Sequence, residues 1–197
     1  RLPTNDWQDE ILGGTPISQM YNLTLGGGSE NLKFNTSITH NDEQGVLVGS
    51  GVIRTGINSK INANLSKNTK LLFNQRFNYR KNKGAGADAV GGGGIIDVLR
   101  YRPTNGLREF SHIALEDIDP EEEKYFTYTN PKSDIDQNYN VQSIYDFTNQ
   151  ASFEWNILKG LNLRIEGMNN LSFSDNNRFY GYITSTGRNN NNQPVAE

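Results

Sequence analysis

From Phe147 to Gly167 the chain reads FTNQASFEWNILKGLNLRIEG, and apolar and polar side chains alternate along it. Phe147, Ala151, Phe153, Trp155 and Ile157 are interleaved with Thr148, Gln150, Ser152, Glu154 and Asn156. After Leu158-Lys159-Gly160 the pattern resumes, with Leu161, Leu163 and Ile165 set against Asn162, Arg164 and Glu166. A period of two sends successive side chains to opposite sides of an extended strand, so this stretch predicts a β-hairpin with one apolar and one polar face. Two architectures satisfy it. In a soluble or surface β-sandwich the apolar face packs on a second sheet and the polar face meets water. In a transmembrane barrel the apolar face meets lipid and the polar face lines the lumen, which makes Gln150, Glu154, Arg164 and Glu166 lumen-facing.

The same alternation predicts strands over residues 20–26, 31–39, 55–65, 70–80, 143–157 and 161–174. Between them the short turns GGGSEN (Gly26 to Asn31), SKNT (Ser66 to Thr69) and LKG (Leu158 to Gly160) alternate with long links, from about His40 to Arg54 and from Lys81 to Gln142. In an antiparallel up-and-down meander this order places every short turn at one end and every long loop at the other, the layout of an outer-membrane barrel. Greek-key sandwiches do not usually sort their loops this way. A strand from Phe147 to Ile157, at ~3.3 Å per residue and tilted by ~45°, rises about 25 Å, the height of a lipid-facing band. Trp155 near the short-turn end, and Phe77 with Tyr79 near the long-loop end, suit interfacial aromatic girdles. The expected fold is all-β: a partial slice of a transmembrane β-barrel, with residues 1–197 forming a single region.

Composition supports strands rather than helical spans. The chain of 197 residues is 34% hydrophobic and holds 20 glycines, and its mean hydropathy is −0.70. It contains no apolar run of the ~18 residues that a transmembrane helix needs. Alternating strands average out as hydrophilic, so this does not count against a barrel. A net charge of −3 with acids and bases mixed argues against a nucleic-acid groove, which needs a basic stripe. Without cysteine there is neither a disulfide framework nor thiolate chemistry.

The long loop 81–142 is too large for a plain connector. It opens glycine-rich, continues as IIDVLRYRPTN, which predicts one or two helical turns stopped by Pro103, and then turns acidic. Its aromatics Tyr101, Phe110, Tyr125, Phe126 and Tyr128 suit stacking on sugar rings or burial under a capping protein, and equally well packing within the loop itself. Glu116, Asp117, Asp119 and Glu121 could offer oxygens to Ca²⁺, but they lack the spacing and central glycine of an EF-hand, which reads them as a solvated acidic loop. The glycine run Gly84 to Gly94 has no Gly-Lys-Ser/Thr ending and so does not read as a phosphate loop. His40 and His112, the two histidines, have no spaced partner, and no nucleophile elbow occurs. No cofactor and no enzymatic activity is expected.

Several stretches resemble a known family. NDWQDEI (Asn5 to Ile11) followed by YNLTLGGGSENLKFNTSITHNDEQGVL (Tyr21 to Leu47) is similar to the early barrel of SusC/RagA-type TonB-dependent outer-membrane transporters of Bacteroidota. In that family a DWQDEIF-like segment precedes a strand, a GGSE turn, a returning strand and a loop carrying QEG, here Gln44-Gly45 after Glu43. IIDVLRYRPTN resembles the family's short loop helix. Gly13-Gly14 departs from the usual aromatic and basic pair, and RPTNG lacks the family's PV. The resemblance implies a slice of a ~22-strand barrel in the outer membrane of a Gram-negative bacterium, with signal peptide, TonB box and plug lying outside this stretch. For the parent protein it implies import of large nutrients such as oligosaccharides or peptides, with a SusD-like surface lipoprotein and TonB-ExbB-ExbD as partners.

Overall fold

The structure, a computed structural model, describes residues 6–12, 14–84, 135, 137–181 and 193–196. It begins with a six-residue helix, α1 (Trp7–Leu12), which the alternation does not announce. Asp6 caps it: its Oδ1 accepts from the backbone N–H groups of Gln8 and Asp9, both at 3.1 Å. Trp7 and Ile11, one helical turn apart, are buried with Leu12, Leu47 and Ile135 packed around them. A helix this short depends on its cap and tertiary contacts, neither of which shows as periodicity.

Seven strands follow: β1 (Ser18–Gly28), β2 (Leu32–Gln44), β3 (Gly51–Ser66), β4 (Thr69–Lys83), β5 (Asn138–Leu158), β6 (Leu161–Tyr180) and β7 (Val195–Ala196). They form one sheet in the order β1-β2-β3-β4-β5-β6-β7, and every adjacent pair is antiparallel. This is the expected up-and-down meander. Three details correct the sequence expectation. The strands run on at the long-loop end, so that β2 continues to Gln44, β5 starts at Asn138 and β6 reaches Tyr180. The link expected from His40 to Arg54 contracts to the six residues Gly45–Ser50. A seventh strand, β7, pairs with Phe179 and Tyr180. The reason is common to all three: ladder hydrogen bonds satisfy the backbone whatever the side chains are, so pairing continues where the sequence is polar throughout.

Glycine shapes two of the tight turns. Gly28 has φ 151°, and a Cβ there would lie 2.1 Å from the Leu32 carbonyl oxygen. Gly160 closes the β5–β6 turn at φ 90°.

The register shows how the sheet is shaped. Lys33, at the β1–β2 turn, maps through Asn62 and Leu72 to Ser152 on β5. Thr69, at the β3–β4 turn, pairs with Trp155, and the β5–β6 turn closes at Leu158 opposite Leu161. Each successive hairpin is therefore displaced by three residues for every two strands crossed. Three residues advance about 10 Å along a strand while two strands span about 9.6 Å across the sheet, so keeping the turns level tilts the strands by roughly 45°. That is the stagger of a barrel wall.

The apolar face has no cover. Leu23, Phe34, Ile165 and Phe173 are 56%, 43%, 59% and 57% exposed, and no second sheet packs on them among the described residues. The sandwich alternative requires that face to be buried, and no such layer lies on it among the described residues. The predicted loop helix before Pro103 lies outside the described residues.

Candidate functional site: the polar face of the sheet

Residues directly opposite in an antiparallel pair share a face, so the ladder sorts the side chains. One row joins Leu23, Ile38, Ile57, Phe77, Phe147 and Leu171 across six strands. The next row toward the long loops joins Tyr21, His40, Thr55, Tyr79, Tyr145 and Phe173. Phe77 and Phe147 lie 4.8 Å apart between ring centroids, and Tyr79 and Tyr145 5.0 Å. This is the apolar face. Trp155 sits on it at the short-turn end, opposite Leu163.

The other face is mostly polar. Gln150, Glu154, Arg164 and Glu166, which the alternation assigns to it, meet there in one network on β5 and β6. Arg164 Nη2 lies 3.1 Å from Glu166 Oε2, and its Nε lies 3.8 Å from Glu154 Oε1. The same Nε donates to Ser152 Oγ at 3.2 Å, and Gln150 Nε2 donates to Glu166 Oε1. Ser152, only 4% exposed, is the buried floor of the cluster. Because the Arg164 side chain is 59% exposed, its pairs contribute only about 0.2–1 kcal/mol each. Their value is in fixing direction: one guanidinium holds two carboxylates upright on the wall.

Three further features of this face were not picked out by alternation alone. Ser172 donates to Asp146 Oδ1 at 2.6 Å, and Arg54 pairs with Glu43 at 3.1 Å. On β2 and β3 a depression of about 250 Å³ is lined by Lys33, Asn35, Asn58, Lys60 and Asn62, with Phe34. The signal for these was present residue by residue, but which strand lies beside which is not a property of any one segment. The sequence-predicted aromatics Tyr101, Phe110, Tyr125, Phe126 and Tyr128, and the acidic Glu116, Asp117, Asp119 and Glu121, lie outside the described residues.

No protein-family model matches the chain. It is 31% identical over 103 residues to TonB-dependent receptor P26 of Formosa agariphila, and 33% identical over 112 residues to TonB-dependent receptor P3 of the same organism. The matches cover 51% and 53% of this chain but 10% and 11% of those proteins, so the chain spans about a tenth of the length of these curated relatives. Among solved structures, the RagAB peptide transporter superposes with a TM-score of 0.63 at 14% identity, over 90% of this chain and 20% of that chain. The RagAB peptide importer in its closed-closed state gives 0.64 at 15% identity, with the same coverage. Over about half its length the chain is thus similar in sequence to TonB-dependent receptors, and its sheet has the fold of part of the RagAB barrel. β1 and β7 are the two free edges among the described residues, so the seven strands form an open slice.

Proposed function

We propose that this segment is barrel wall of an outer-membrane TonB-dependent importer of large nutrients, such as oligosaccharides or peptides. Its apolar face meets hydrocarbon; its polar face, with Gln150, Glu154, Arg164 and Glu166, lines the lumen. The observation that carries the reading is the combination of a three-residue stagger per two strands with an uncovered apolar face, because a wall tilted by roughly 45° with grease on one side is what lipid and lumen together require. The transporter-type relatives support it. For the parent protein the reading brings a SusD-like surface lipoprotein over the mouth, the TonB-ExbB-ExbD complex as energy source, and transport in place of catalysis. The aromatics from Tyr101 to Tyr128 are its candidate contacts to substrate or cap.

Cysteine placed at position 150 or 153 of the full-length protein tests the orientation. In outer membranes a water-soluble maleimide should label Gln150→Cys and leave Phe153→Cys unmodified. Equal labelling of the two positions would defeat the proposal.

A further inference from the structure

Two stretches that carry the family resemblance, NDWQDEI and the segment from Asp42 to Leu47, meet at the long-loop end of the sheet. Trp7 and Ile11 of α1 are 3% and 1% exposed, and Leu47 and Ile135 pack against them. The backbone follows: the Ile11 carbonyl accepts from the Val48 N–H at 3.0 Å. Gln44 Oε1 in turn accepts from the N–H of Ile17, in the stretch joining α1 to β1, at 3.3 Å. Val141, the remaining buried apolar side chain among the described residues, pairs with Lys83 at the same end. In a wall open on both faces, burial is concentrated here.

The contacts reach both roots of the long link between β4 and β5. On the outgoing side, a Cβ on Gly84 would lie 2.8 Å from Ser50 Cα, and the Gly84 N–H donates to the Asn140 carbonyl at 3.0 Å. Ser50 is tied back to Leu47, whose carbonyl accepts from the Ser50 N–H at 3.0 Å and from its hydroxyl at 2.7 Å. On the returning side, Ile135 packs directly on Trp7 and Ile11. One branch therefore runs from α1 through Leu47 and Ser50 to Gly84, and the other from α1 to Ile135. A six-residue helix is not stable in isolation, so α1 folds only as it docks.

We infer that α1 is a clasp that holds both roots of the long link against the wall. Because folding and docking of the helix are one event, the clasp is either closed or absent, and undocking loosens the two roots together. Trp7 and Ile11 are its holding residues. On the importer reading, the aromatics from Tyr101 to Tyr128 are then carried on a base that α1 fixes; only this last step rests on that reading.

Hydrogen exchange of the full-length protein, folded in detergent and read by mass spectrometry, tests the clasp. Trp7→Ala with Ile11→Ala should speed exchange roughly ten-fold or more in peptides carrying Val48, Gly84 and residues 138–142, with residues 150–166 as protected as before. Gln8→Ala, at an exposed position of the same helix, should change none of them. Faster exchange at Val48 alone, with Gly84 and 138–142 unaltered, would reduce α1 to local packing and overturn the clasp. If the double variant does not fold, Ile11→Val should give a smaller increase at the same three places, and no increase there overturns the clasp equally. Failure of the importer reading would appear separately, in the maleimide labelling of positions 150 and 153.

Discussion

Phe77 on β4 and Phe147 on β5 stand directly opposite each other, their ring centroids 4.8 Å apart. The contact joins two strands whose facing ends, Lys83 and Asn138, are separated by the whole of the long loop. A double-mutant cycle with Phe77→Ala and Phe147→Ala should return a coupling of about 0.5–1.5 kcal/mol in urea unfolding from detergent or bilayer. Strict additivity would mean that the register of β4 against β5 is different.

The two faces make opposite demands on charge. Ile165, on the apolar face opposite Phe153, is 59% exposed, and Met168, on the polar face opposite Gln150, is 65% exposed. Ile165→Arg should cost about 2–4 kcal/mol of folding stability in a bilayer, whereas Met168→Arg, three positions along the same strand, should cost no more than about 0.5 kcal/mol. Similar costs at the two sites would show that the faces do not separate lipid from lumen.

Arg164 holds Glu166 and Glu154 from a largely exposed position. Its replacement by alanine should therefore be mild, about 0.5–1 kcal/mol after allowing for solvent screening. The loss should shrink further as ionic strength is raised above ~0.15 M. Stability measured across a salt series distinguishes this from a packing defect, which salt would leave unchanged.

Gly28 has little room for a side chain: its φ is 151° and a Cβ would meet the Leu32 carbonyl oxygen at 2.1 Å. Gly28→Ala should destabilise the β1–β2 hairpin by about 1–3 kcal/mol. Gly167, where a Cβ would meet nothing within 4 Å, is the control, and Gly167→Ala should be neutral or slightly stabilising. Thermal unfolding of the two variants in parallel checks the difference.

How much of this was legible in the sequence follows from the range of each signal. Alternation from Phe147 to Ile165 marked the β5–β6 hairpin and placed Gln150, Glu154, Arg164 and Glu166 on one side of it, because the side-chain period of two is local and a two-residue turn fixes the register across it. It did not mark α1, which depends on the Asp6 cap and on burial of Trp7 and Ile11 beneath Leu47 and Ile135. Nor did it mark β7 or the polar ends of β2, β5 and β6, where the ladder continues without any apolar rhythm.

By itself, then, the sequence determined strands, turns and the two faces within each hairpin, since these depend on neighbours a few residues apart. The order of short turns and long loops also pointed to consecutive hairpins lying side by side in a meander, but only the tertiary structure decided their offset. Those long-range pairings set the stagger of the wall, and they bring Lys33, Lys60, Arg76 and Arg80 from three different strands into one line. A chain whose acids and bases look evenly mixed in order of residue number therefore gathers bases on the polar face of β3 and β4 and sets Asp146 and Glu154 beside them on β5, because charge acts through space and only the register sets those distances.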